Sequence, residues 1–164
     1  MTASAAPSEL LDLLKQYGGI LHKITRLYAD DAEDRRDLYQ EILYETWRAY
    51  PAFRGASAFS TWLYRVALNT ALTFRKKSLR RQNVVALDAA GHLPIEDPPA
   101  LSAAAELLYH AIRQLPETDR AIITLHLDGY TNDEIAAISG ISKNHVAVKL
   151  HRIKTELENR LKRG

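Results

Sequence analysis

The sequence predicts an all-α protein made of two small helical domains joined by a flexible linker, and three observations predict it. Apolar residues recur at helical spacing over most of the chain, and no apolar–polar alternation is long enough to argue for a sheet. Glycine and proline are scarce, 7 and 6 of 164 residues, so few positions interrupt a helix. Periodicity fails in one place, QNVVALDAAGHLPIEDPPA (82–100), which also gathers Gly91, Pro94, Pro98 and Pro99. The expected domains are therefore 8–82 and 101–162, with 83–100 as the linker and no internal repeat between them.

Residues 1–7 are expected to be disordered. From Ser8 to about Tyr28, Leu10, Leu11, Leu13, Leu14, Ile20, Leu21, Ile24 and Leu27 mark a helix, with Gly18-Gly19 as a break or bend. The run Asp30, Asp31, Glu33, Asp34 is expected to serve the start of a helix, where the dipole favours carboxylates, rather than a cation. Asp37–Tyr50 forms the next helix. Leu38, Tyr39, Ile42, Leu43 and Tyr50 fall on one side, and Asp37, Gln40, Glu41, Tyr44, Glu45 and Arg48 on the other.

Pro51 and Gly55 break that helix. A third runs from Thr61 to about Arg81, with Leu63, Val66, Ala67, Thr70 and Phe74 inward. Its opposite stripe holds Arg65, Asn69, Leu72 and Lys76, and it ends in Arg75, Lys76, Lys77, Arg80 and Arg81. Those cations could simply answer the helix dipole. Beside the aromatics Phe53, Phe59, Trp62 and Tyr64, they also fit single-stranded nucleic acid, whose bases stack on aromatic rings. After the linker, Leu101–Leu115 forms a helix and Pro116 opens another that runs to about Leu127.

Asp128-Gly129 turns the chain into GYTNDEIAAISGISKNHVAVKLHRIKTELENR. Thr131 and Glu134 have capping-box spacing, and Ile135, Ala136 and Ile138 give the short helix a buried side. Gly140 can end it in the left-handed conformation and Ser142 can cap the next. Two helices across such a turn form a helix-turn-helix, whose second helix enters the DNA major groove. At about 100° per residue, Val146, Leu150, Ile153, Leu157 and Leu161 face the core. Asn144, Ala147, Val148, His151 and Arg152 face away, flanked by Lys149 and Lys154. Short apolar groups among donors suit base edges and thymine methyls, and the lysines suit phosphates.

Composition excludes several alternatives. Whole-chain charge is only +2, so any nucleic-acid case rests on local clustering. With no cysteine, disulfides, thiolate catalysis and Cys-ligated zinc are out. No apolar run approaches the ~20 residues that span a bilayer, and MTASAAPSEL lacks the features of a secretory signal. A soluble intracellular protein is expected. No HExxH, P-loop, GxSxG or paired-glycine fingerprint is present. The histidines 22, 92, 110, 126, 145 and 151 are scattered, so neither an enzyme, a metal site nor a cofactor is expected.

Two segments together resemble a known family. DLYQEILYETWRAYPAFRGASAFSTWLYRVALNTALTFRKK is similar to region 2 of the extracytoplasmic-function (ECF) sigma factors of bacterial RNA polymerase, in the sigma-70 family. LPETDRAIITLHLDGYTNDEIAAISGISKNHVAVKLHRIKTEL is similar to their region 4. The resemblance implies a factor that binds core RNA polymerase, reads the −35 element as duplex and captures the melted −10 strand. It implies polymerase binding, on the beta-prime clamp helices, by Asp37, Gln40, Glu41, Tyr44 and Arg48, with the beta flap as a further contact. Trp47 matches the same motif, and core packing explains it equally well.

For the −10 strand the matching positions are Ala58, Phe59, Ser60, Arg65, Asn69 and Lys76, with Trp62 read as structural. For the −35 duplex they are Lys143, Asn144, His145, Ala147, Val148, Lys149, His151 and Arg152. Family members usually place Lys or Arg and then Ser after the valine of the recognition helix, where this chain has Ala147 and Val148. The resemblance further implies an anti-sigma partner, often tied to a membrane sensor, and a place in the bacterial cytoplasm. No small-molecule substrate is implied. A stand-alone helix-turn-helix repressor or activator is the competing expectation. It would account for Asn144–Arg152 but leave the Asp37–Arg48 and Arg65–Asn69–Lys76 stripes unexplained.

Overall fold

A computed structural model describes the backbone of residues 5–78 and 98–163, and the side chains of 8–74 and 98–163. All regular elements among the described residues are helical, as expected. The chain divides into two compact units, Met1–Pro98 and Pro99–Gly164. The expected linker lies outside the described residues except for residues 98–100.

The first unit packs three helices against one another: α1 (Ala5–Tyr28), α2 (Ala32–Ala49) and α3 (Phe59–Ser78). Leu10, Leu21, Ile24, Leu27, Leu38, Ile42 and Leu63 are buried in its core. Helix α1 starts three residues earlier than periodicity indicated. Its bend sits at Tyr17 (φ −112°, ψ 15°), one residue before the glycine pair. Helix α2 begins five residues before Asp37, because Asp31 Oδ1 accepts the Asp34 N–H at 2.8 Å and so caps it. The acidic run is thus a helix start, as expected. Burial and the neighbours Asp31, Asp37 and Asp30 push the Asp34 carboxyl up.

A short 3₁₀ turn, Tyr50–Ala52, carries Pro51 and ends α2. Gly55 follows at φ +75°, a conformation open to glycine and unfavourable for a residue with a Cβ. Helix α3 starts two residues before Thr61, and its expected end near Arg81 lies outside the described residues.

The second unit holds α4 (Ala103–Arg113), α5 (Glu117–Leu127), α6 (Asn132–Ser139) and α7 (Lys143–Arg163). Ser102 caps α4 by accepting the Ala105 N–H at 3.1 Å. The Arg120 guanidinium donates to the Leu115 carbonyl at 2.8 Å, tying the α4–α5 turn. Ile122, Ile135 and Val146, each with no exposed surface, join α5, α6 and α7 in one core. Leu161 departs from expectation. It is 42% exposed, because α7 runs past the core and leaves it at the rim of a groove of about 330 Å³ with Leu107, His110, Gln114 and Arg160.

Candidate nucleic-acid interfaces

The helix-turn-helix forms as its sequence signals indicate. Thr131 Oγ1 accepts the Glu134 N–H at 3.2 Å while Glu134 Oε1 accepts the Thr131 N–H at 3.0 Å, completing the capping box. Gly140 turns at φ +80° and donates its N–H to the Ala136 carbonyl. Ser142 Oγ then accepts the His145 N–H at 3.1 Å, which caps α7. Val146, Leu150, Ile153 and Leu157 are buried by this arrangement, which rotates the opposite stripe into solvent.

Lys143, Asn144, His145, Ala147, Val148, His151 and Arg152 are all exposed, in one patch over the first half of α7. Val148, at 63% exposed, is conspicuous for an aliphatic side chain. Apolar groups in a ring of donors fit a groove floor studded with thymine methyls. Lys143 pairs with Asp133 at 3.4 Å, but both side chains are well exposed, so the pair contributes little. On the neighbouring α5, burial first and Lys154 second hold the His126 imidazole below its ordinary value.

Lys149 departs from expectation. Its Nζ lies 3.1 Å from Asp119 Oδ1, and only 18% of its side chain is exposed. It is drawn toward α5 instead of standing out beside His151. Sequence spacing gives no hint of this, since the partners are 30 residues apart.

The residues from Tyr50 to Asn69 form a second surface. Phe59 lies at the centre of an aromatic cluster, with ring centroids 5.6 Å from Tyr17, 5.9 Å from Phe53, 5.5 Å from Trp62 and 6.4 Å from Tyr50. Trp62 packs on Phe53 at 5.0 Å, a structural position as expected. Phe59 itself is only 8% exposed, so its ring is a support beneath the loop and not part of its outer face. Around it Ala58 is exposed and Ser60 half-buried. Arg65 and Asn69, one turn apart on α3, are both exposed. Lys76 belongs to α3, and its side chain lies outside the described residues, as do those of Arg75, Lys77, Arg80 and Arg81.

A third surface is the outer face of α2. Asp37 and Arg48 are exposed, with Gln40, Glu41, Tyr44 and Glu45 half-buried between them. Glu45 accepts from the Arg48 guanidinium at 2.5 Å and raises its already high pKa. Trp47 is 38% exposed and lies 6.4 Å from the Tyr44 ring, so packing covers only part of it. No group of three or more potential metal ligands occurs among the described residues. No helix among them is long and apolar enough to cross a membrane.

Comparison with known proteins identifies the family. Residues 13–82 match the family model for sigma-70 region 2, and residues 105–157 that for sigma-70 region 4. The chain is 36% identical over 155 residues to the ECF RNA polymerase sigma-E factor of Escherichia coli K12, covering 85% of this chain and 81% of that protein. The sigma-E factor of Haemophilus influenzae is 34% identical over 141 residues, covering 78% and 75%.

In fold, the chain is similar to the Bartonella quintana sigma factor RpoE, solved in complex with the anti-sigma factor NepR. The TM-score is 0.71 at 21% identity, over 94% of this chain and 97% of that one. CnrH, solved with the cytosolic domain of CnrY, gives a TM-score of 0.64 at 21% identity over 98% and 94%. Two matched regions in the right order, and relatives alike over most of their length, establish the family. The chain belongs to the ECF subfamily of RNA polymerase sigma factors.

Proposed function

We propose that this chain binds core RNA polymerase through the outer face of α2, reads a −35 duplex with α7 and holds a melted −10 strand on the loop and first turns of α3. One observation carries this division of labour. Two units, each with its own core, both turn a face bearing amides and cations to solvent, Arg65–Asn69 in one and Asn144–Arg152 in the other. A protein that only bound duplex operators would need the second face alone.

On α2 the contacts are Asp37, Gln40, Glu41, Tyr44 and Arg48, and the half-exposed indole of Trp47 supplies the large desolvated anchor that interfaces favour. At the loop, Ala58 and Ser60 line the edge of a base site whose floor is the Phe59 cluster. An exposed amide at Asn69 can read the hydrogen-bonding edge of an unstacked base, with Arg65 and Lys76 on the backbone. The chain contributes positioning and recognition and no catalytic chemistry of its own. An anti-sigma partner that covers these faces, in the cytoplasm or tethered at the inner face of the membrane, would keep it silent.

The test is transcription in vitro with bacterial core polymerase, this chain and a library of promoter fragments. Specific starts are expected only when the chain is present. Asn69→Ala is expected to weaken them at least about fivefold, since a good base-edge contact is worth about 1–3 kcal/mol. If no core enzyme is redirected while the free chain shifts duplex DNA, the operator-binding alternative replaces this reading.

The same library tests the face of α7. Ala147 cannot make the bidentate arginine–guanine contact, so thymine methyls are expected opposite Ala147 and Val148. Recovery of an invariant guanine opposite Ala147 would refute that assignment.

A further inference from the structure

Asp119 is a charged residue that the recognition surface leaves unexplained. It occupies the first turn of α5, where the helix dipole favours a carboxylate, and it is only 5% exposed. Both its oxygens face the recognition helix. Oδ1 accepts from Lys149 Nζ at 3.1 Å, and Oδ2 lies 4.0 Å from Arg152 Nη2. Lys149 and Arg152 are three positions apart and so point the same way from α7. They border the exposed patch of Ala147, Val148 and His151. The two cations differ in freedom, since Lys149 keeps 18% of its side chain exposed and Arg152 61%.

We propose that Asp119 is a positioning residue for −35 recognition, which neutralises Lys149 and leaves Arg152 as the phosphate-facing cation on that side of α7. This rests on the sigma-factor reading of the helix-turn-helix. The consequence is a duplex-binding surface with one fewer effective cation than its sequence contains. Each phosphate contact adds about 0.9 to the steepness with which affinity falls with salt and strengthens binding to any sequence alike. An internal acceptor that withholds one lysine therefore trims the sequence-independent part of binding. It leaves the readout by Asn144, Ala147 and Val148 in place. The long lysine stem is free to swing outward once the carboxylate is gone.

The experiment measures binding of the holoenzyme to a short duplex with a −35 element and no −10 element, across about 50–200 mM salt. Comparing variants cancels the polymerase's own contacts. Asp119→Asn is expected to steepen the slope by about 0.9 and to tighten binding several-fold at the low-salt end. Lys149→Gln is expected to leave the slope unchanged, and the double variant to return to the wild-type slope.

A structural ion pair alone would lower the melting temperature in both single variants and move neither slope. That result would overturn the proposal. So would a slope shallower by about 0.9 in Lys149→Gln, which would mean that Lys149 already contacts phosphate. Should Asp119→Asn fail to fold, Arg152→Gln is measured beside Lys149→Gln: a slope shallower by about 0.9 in the first and unchanged in the second supports the proposal, and equal slopes in the two overturn it. Failure of the wild-type chain to direct core polymerase to any promoter is a separate result, which removes the −35 role on which the inference stands.

Discussion

Ile122→Ala is expected to unfold the second unit and leave the first folded. Ile122 is fully buried on α5, the helix against which both α6 and α7 pack. Truncating a buried isoleucine to alanine costs about 2–5 kcal/mol, from lost burial and the cavity left behind. A single small core seldom supplies more than about 3–5 kcal/mol. The substitution therefore removes a stabilisation as large as the unit's whole margin. Hydrogen exchange on the full chain should show amides of α4–α7 losing protection while those of α1–α3 keep theirs. Ile122→Val, which costs only about 0.5–1.5 kcal/mol, should remain folded and support transcription. Equal loss of protection in both units would mean that they fold as one.

The same core shows how far the sequence could be read. Val146, Leu150, Ile153 and Leu157 are legible as a buried stripe because α7 buries only one side, and periodicity then maps directly onto burial. Leu161 obeys the same periodicity yet is exposed, since a stripe says which way a residue points and not where the neighbouring helices stop. The start of α2 was hidden for the opposite reason. Ala32, Glu33 and Arg36 are exposed and Asp34 and Arg35 half-buried, so no apolar rhythm marks that turn and the signal is the Asp31 cap alone. Lys149 illustrates the deepest limit. Its face on α7 was readable, but its neutralisation by Asp119 exists only once α5 and α7 have packed.

Phe59→Ala is expected to abolish promoter opening by removing the aromatic floor of the base site proposed above. The ring meets Tyr17, Tyr50, Phe53 and Trp62 at centroid distances from 5.5 to 6.4 Å, and thus links α1, the 3₁₀ turn and the loop to α3. Aromatic pairs of this kind contribute about 0.5–1.5 kcal/mol each beyond burial, and truncating a core phenylalanine costs about 3–5 kcal/mol. The denaturant midpoint of the first unit should therefore fall, with protection lost first around Ala58 and Ser60. Binding to a −35 duplex should persist, because the second unit has its own core. Phe59→Leu retains apolar volume without a ring face, and should recover much of the stability and part of the opening. The sequence resemblance alone suggests a direct contact between Phe59 and a base. In that case Phe59→Ala would keep the wild-type denaturant midpoint and lose only strand capture. With 8% of the residue exposed, the ring has little surface left to offer a base, and the fall in stability should accompany the loss of opening.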